Sequence, residues 1–120
     1  MTDSNEIVEL VHRYFDATWR GDVEQLRTVF DARAIVAGEV NGEPYYKTIE
    51  EYLAGVAIRK SPAELGEPVD TELLMLDVQE NIATVKLGVR MLGFNYYNYF
   101  SMVRQCDTWL VITKTLTNVP

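Results

Sequence analysis

The run LLMLDVQENIATVKLGVRMLGFNYYNYFSMVRQCDTWLVITKTLTNV, residues 73–119, decides the fold. β-Branched and aromatic residues dominate it, and short polar breaks fall at Glu80-Asn81, around Asn95 and at Asp107-Thr108. Breaks of that kind between such runs predict tight turns in an antiparallel meander. Four strands are expected, over 73–78, 82–94, 97–106 and 109–119. Trp109 and Val111 alternate with Leu110, Ile112 and Leu116, and Phe100 and Met102 alternate with Tyr97, Tyr99 and Val103, so both faces are apolar. An antiparallel sheet with one free face is polar on that side. One face is therefore expected to meet helices and a pocket, and the other a second copy of the chain. This predicts a homodimer through Leu110, Ile112, Leu116, Tyr97 and Tyr99.

Upstream of these strands, Pro62, Gly66 and Pro68 mark residues 61–70 as one long loop. Before it, Thr48 and Glu51 have capping-box spacing, and Ile49, Tyr52, Leu53 and Val56 keep helical period to about Lys60. Ala34–Val40 reads as a strand that reaches Asn41-Gly42, a strong hairpin signal, and resumes at Tyr45 and Tyr46. At the start of the chain, Ile7, Leu10, Val11, Tyr14, Phe15 and Thr18 share one helical arc, while Glu6, Glu9, Arg13, Asp16 and Arg20 fill the opposite side. Gly21 stops this helix, and Asp22 caps a short second one whose Val23, Leu26 and Phe30 are expected on one face. The element order predicts an α+β protein in which three helices from the N-terminal half pack on a strongly bent, six-stranded, mainly antiparallel sheet forming a cone.

Composition sets bounds on function. A chain of 120 residues supports one core and one domain, spanning 1–120. Lys and Arg number 11 against 18 Asp and Glu, for a net charge of −7. That balance repels nucleic-acid phosphates and anionic membranes, so neither is expected as a partner. The first residues are polar and acidic, and no apolar run reaches the ~20 residues that span a bilayer. The expected location is cytoplasmic. Cys106 is the single cysteine, which excludes an internal disulfide and a multi-thiolate metal site. No phosphate-binding glycine loop is present, and neither metal nor other cofactor is implied.

The order helix, helix, hairpin, helix, long loop, meander resembles the nuclear transport factor 2-like superfamily. Tyr14-Phe15, Gly21-Asp22, Leu26 and Phe30 are similar to its opening motif, and Trp109 to its closing tryptophan. Within it the chain most resembles the bacterial lumazine-binding and polyketide-cyclase-like group, through Gly21–Leu26, Ser61–Glu64, Gly66-Glu67-Pro68 and Asn98–Ser101. The superfamily includes ketosteroid isomerases, polyketide cyclases, limonene epoxide hydrolases and scytalone dehydratases. Against the isomerase pattern, Tyr14 matches the tyrosine that donates to a developing oxyanion. The position of the carboxylate base falls on Gly38, which cannot accept a proton. The position of the protonated acid falls on Asn98, whose amide donates but does not titrate.

Three readings of function follow. In the first, the chain is a small-molecule-binding protein without catalytic carboxylates. Its cone holds a small apolar or aromatic molecule against Tyr14, Trp19, Tyr52, Met75, Phe94, Asn98, Phe100, Met102 and Trp109. In the second, Tyr14 and Asn98 polarise a carbonyl or epoxide oxygen while His12 or a bound water moves the proton. His12, the only histidine, lies at the border of the first helix's apolar face, where it is either a packed ring with one wet nitrogen or a base at the pocket mouth. Tyr45, Tyr46, Tyr96, Tyr97 and Tyr99 form either a stacking platform or core and interface filling, since alternate strand residues face opposite ways. Arg90 and Lys114 interrupt apolar strands and serve either an anionic group or interface ion pairs. A third reading has large side chains filling the cone, leaving a dimerisation or partner-binding domain.

Overall fold

The structure, a computed structural model, describes residues 2–120. It contains helices α1 (Asp3–Arg20), α2 (Val23–Arg27) and α3 (Ile49–Ile58), with strands β1 (Phe30–Val40), β2 (Glu43–Thr48), β3 (Thr71–Gln79), β4 (Ile82–Met91), β5 (Phe94–Gln105) and β6 (Thr108–Val119). The six strands form one open sheet in the order β2-β1-β6-β5-β4-β3. All neighbours are antiparallel except β1 and β6, which run parallel. The predicted meander is β3 to β6, and the predicted hairpin is β1–β2.

Local chemistry sets the helix ends. The Thr2 hydroxyl accepts from Asn5 N at 3.2 Å at the start of α1, and Gly21, at φ +71°, ends it in the left-handed conformation. Asp22 caps α2 by accepting from Gln25 N at 3.1 Å. At α3 both arms of the capping box form: Thr48 Oγ1 accepts from Glu51 N at 3.2 Å, and Glu51 Oε1 accepts from Thr48 N at 2.9 Å. The expected place of Phe30 on the second helix is corrected. That helix is only five residues long, and Phe30 opens β1 instead.

The resemblance-bearing stretches hold the frame together. A Cβ on Gly21 would stand 3.0 Å from Ser61 Cβ, so the end of α1 and the long loop touch at a position that suits only glycine. Ala63 N donates to the Trp19 carbonyl at 2.9 Å, and the Trp19 indole N–H donates to the Glu67 carbonyl at 3.0 Å. At the other end of α1, Trp109 Nε1 and Arg104 Nη1 both donate to Asp3 Oδ1, at 3.2 and 3.3 Å. α1 is thereby pinned across the concave face of the sheet at both ends. Its Ile7, Leu10, Val11 and Tyr14 share one buried cluster with Val85, Leu87, Phe100 and Val111 of the sheet, which are themselves sealed from solvent. Full burial of such side chains contributes roughly 1.5–3 kcal/mol each.

One irregularity positions the site. Along β5–β6 the pairing runs Met102 with Val111 and then Ser101 with Thr113, leaving Ile112 as an extra residue; the β1–β6 register shifts at the same level. A bulge reverses the in–out alternation beyond it. Val111 and Lys114, three apart, are both buried, and Leu116 faces the cone. This corrects the expectation that Leu116 shares an outer face with Leu110 and Ile112.

Candidate functional site

The cone encloses a cavity of about 80 Å³ near its mouth. Its apolar wall comes from Val40, Val89, Met91 and Leu116, and four phenols border it: Tyr14 from α1, Tyr52 from α3, Tyr45 from β2 and Tyr96 from β5. Asn98, Lys114 and Arg59 complete the lining. The expected apolar pocket is therefore corrected. The bulge at Ile112 turns Lys114 inward, and Arg59, just past the end of α3, reaches the same space.

The polar groups are short of partners. Lys114, 3% exposed, donates from Nζ to the Tyr52 hydroxyl at 3.0 Å. The ammonium also stands 4.4 Å from the Tyr52 ring centroid and 5.3 Å from that of Tyr14, a cation–π arrangement. None of the ion pairs among the described residues includes Lys114 or Arg59. One terminal nitrogen of Arg59 is buried without an acceptor, and Asn98 Oδ1 is buried without a donor. Asn98 Nδ2 donates only a long 3.5 Å contact to the Tyr14 hydroxyl. Unpaired buried polar atoms are rare in native proteins, and each asks for an explanation.

The charges shape the acidities. Burial pushes the Tyr14 phenol up to about 12, so it keeps its proton at neutral pH. Burial also works to raise Tyr52, but the Lys114 ammonium and the Arg59 guanidinium outweigh it and hold that phenol below the ordinary tyrosine value. For Lys114, burial opposes the charge, yet the facing phenols of Tyr14 and Tyr52 outweigh it and hold the amine above the ordinary lysine value. The half-buried Tyr45 and Tyr96 are raised, mainly by burial.

Of the residues singled out from sequence, Tyr14, Tyr52 and Asn98 line the cavity. Phe100 lies beneath it, its ring 4.9 Å from that of Tyr14 and nearly perpendicular, and Met102 is core. Trp19 and Trp109 serve the ends of α1. Phe94 lines a wider, open depression of about 570 Å³ outside the mouth, with Arg90 and Glu67. Met75 is 41% exposed on β3, away from the cone. His12 is exposed on α1, edge-on to Phe15 at 6.3 Å, and does not reach the cavity. Of the tyrosine platform only Tyr45 and Tyr96 line the cavity. Tyr46 is exposed, while Tyr97 and Tyr99 lie on the convex face beside Lys86.

Gly38 is fixed by the backbone. At φ +152° it pairs with Leu116, and a Cβ there would overlap the Leu116 carbonyl oxygen and stand 3.0 Å from its amide nitrogen. No carboxylate fits at that position without displacing β6. Lys114 was visible in the sequence as a charge within an apolar strand, but its direction depends on the bulge; Arg59 carried no signal. Among the described residues no group of His, Cys, Asp or Glu could hold a metal ion, and no helix is long and apolar enough to cross a membrane.

A family model described as "Putative lumazine-binding" matches residues 2–117. Similar solved structures include three NTF2-like proteins of unknown function. One from Shewanella baltica is 19% identical with a TM-score of 0.86, covering 100% of this chain and 98% of its own. One from Silicibacter pomeroyi is 20% identical with a TM-score of 0.82, covering 99% and 100%. One from Methylobacillus flagellatus is 15% identical with a TM-score of 0.81, covering 98% and 93%. These confirm the NTF2-like α+β cone. No curated protein matches the sequence.

Proposed function

The chain belongs to the family described as "Putative lumazine-binding", and we propose that it binds a small molecule in the mouth of its cone. The observation that carries this reading is the cavity itself, where an apolar wall converges with buried polar atoms that the protein leaves unpaired. A core filled for stability alone satisfies its polar groups. The cavity of about 80 Å³ is smaller than the roughly 150 Å³ that takes a benzene, so it accepts a headgroup. The rest of the ligand then lies at the rim, where half-buried Tyr45 and Tyr96 offer aromatic faces.

The test is extraction. Protein purified under native conditions is denatured, and the released small molecules are compared by mass spectrometry between wild type and Met91→Trp, which fills the mouth. A species released by wild type and absent from the variant supports the reading. If wild type releases none and no compound of a metabolite panel raises its melting temperature, the cone is a structural module.

A catalytic reading keeps Tyr14 and Asn98 as donors to a carbonyl or epoxide oxygen, favoured by their contact and by the retained Tyr14 proton. It needs a base at the cavity, which neither Gly38 nor the outward His12 provides. For assembly we propose a homodimer through the convex face, where Tyr97, Tyr99, Leu110 and Ile112 remain outside the cone. Light scattering at micromolar concentration is expected to give twice the 13.7 kDa chain mass; a monomer mass overturns it.

A further inference from the structure

We infer that the occupant of the cone is a carboxylate, its anionic head held between the Lys114 ammonium and the Arg59 guanidinium and its planar body lying between Tyr45 and Tyr96. This inference rests on the small-molecule reading above and names the chemistry of the ligand.

Charge carries it. The chain has a net charge of −7, yet the cavity is lined by two cations and no acidic side chain. An ammonium taken out of water without a counter-ion costs several kcal/mol, and proteins pair such charges when their role is structural. Lys114 meets phenols and no carboxylate, the Tyr52 hydroxyl at 3.0 Å with Tyr14 beside it, and Arg59 has a buried nitrogen with no acceptor. Neither is diverted to the 18 acidic residues of the chain by an ion pair. The amine also keeps its proton, because the facing phenols hold it above the ordinary lysine value despite burial.

Shape narrows the anion to a carboxylate. A guanidinium fork matches the two oxygens of a carboxylate in one plane, and an ammonium adds a point charge from a second direction. A carboxylate of three heavy atoms suits a space of about 80 Å³, and a planar body then continues to the tyrosine rim. Asn98 Oδ1, buried without a donor, provides an acceptor for an N–H or O–H carried beside that head.

Benzoate and acetate, with benzamide and acetamide as neutral counterparts, are titrated into the intact protein and followed by NMR at the tyrosine rings and the Lys114 ammonium. Benzoate is expected to bind about tenfold or more tightly than benzamide, the equivalent of roughly 1.4 kcal/mol, with acetate moving Lys114 but not Tyr45 or Tyr96. In Lys114→Met, and in the half-buried Arg59→Met should the first variant fail to fold, the preference for benzoate is expected to fall below about threefold, or ~0.6 kcal/mol. Arg90→Met, outside the cone, retains it. If benzoate and benzamide bind equally, or the preference survives in the cavity variant that folds, the carboxylate inference is overturned while the small-molecule reading stands. If neither anion perturbs Lys114 or the rim, the inference is likewise overturned, and the extraction experiment alone decides whether the cone holds a neutral ligand or none.

Discussion

The floor of the cone and its mouth are built from the same strands, yet they obey opposite rules. On the floor, Phe100 meets Tyr14 and Phe30 edge-on at 4.9 and 6.1 Å, and the charged groups near Trp109 are paired to one another. Lys114 pairs directly with Phe100 across β5–β6, and from there to the mouth the cations lack counter-ions and the Asn98 amide oxygen lacks a donor. The floor resembles any close-packed interior. The mouth tolerates desolvated charge that folding alone would remove. The difference separates residues that keep the cone from residues that use it.

The largest effect is expected on the floor. Phe100→Ala removes a fully buried ring that contacts two others, and a loss of about 3–5 kcal/mol in urea denaturation is expected. A loss below about 1 kcal/mol would show a floor that collapses freely, and the contrast with the mouth would weaken. Gly38→Ala is next. The added methyl meets the Leu116 carbonyl from a backbone conformation that disfavours it, and a loss of roughly 2–4 kcal/mol is expected from strain and overpacking together. Because Leu116 lines the cavity, amide exchange at Leu116 should accelerate in this variant; unchanged exchange would show that β6 yields without opening.

How much of this was legible follows from the period-2 rule. Element order, the caps at Asp22 and Thr48, and the turn at Asn41-Gly42 depend on neighbours three or four residues away, and all form as read. Tyr14 was placed by helical period and resemblance, and Asn98 by resemblance on a strand, β5, that has no bulge between Asn98 and Phe100. Lys114 and Leu116 were not. Counting by twos from Trp109 sends both outward, and one extra residue, Ile112, which nothing in its own chemistry marks, sends both inward. Arg59 lay beyond reach for a different reason. A long side chain at a helix end is set by what it finds in space, and its neighbours are Tyr45 and Tyr96 from other strands. Met75 failed as a cavity residue for the same reason as Lys114, since an extra residue at Leu74 in the β3–β4 pairing turns it outward, and His12 failed because a residue at the border of a helix's apolar face turns either way.

At the boundary between floor and mouth, Tyr14 should reveal itself through alkali. Its phenol titrates near 10 in the unfolded chain and at about 12 when folded. A raised value means that the folded state holds its proton longer, so the contribution is complete below pH 10 and is lost as pH rises to about 12. Wild type should therefore lose about 2–3 kcal/mol more than Tyr14→Phe across that window. At pH 7, where the hydroxyl accepts a long 3.5 Å contact from Asn98 and lies beside Lys114 and Thr18, the two should lie within about 1 kcal/mol. Parallel stability curves from pH 9 to 12 would place Tyr14 in contact with water and move it from the floor to the mouth.

The smallest effect carries the sharpest sign. Lys114→Met removes an ammonium that burial disfavours and fills the space with a thioether of similar length. It loses a charged hydrogen bond to Tyr52 worth roughly 1.5–3 kcal/mol and cation–π contacts worth ~0.5–2. Against these stands a desolvation cost of several kcal/mol that vanishes with the charge. The terms nearly cancel, because a buried ammonium without a counter-ion is costly in itself and a thioether of similar length fills its space. The expected outcome is a stability from unchanged to about 1 kcal/mol higher, opposite in direction to every floor substitution. A second readout is independent of folding energy. Tyr52 is held below the ordinary tyrosine value mainly by Lys114, against the pull of burial, so its phenol should titrate at higher pH in the variant, as followed by ultraviolet absorbance or NMR. A loss above about 2 kcal/mol would mean that Lys114 ties α3 to the sheet as the floor residues do. An unmoved Tyr52 would mean that its acidity is set by Arg59. A neutral or stabilised protein with a shifted Tyr52 is the signature of a charge kept for a ligand.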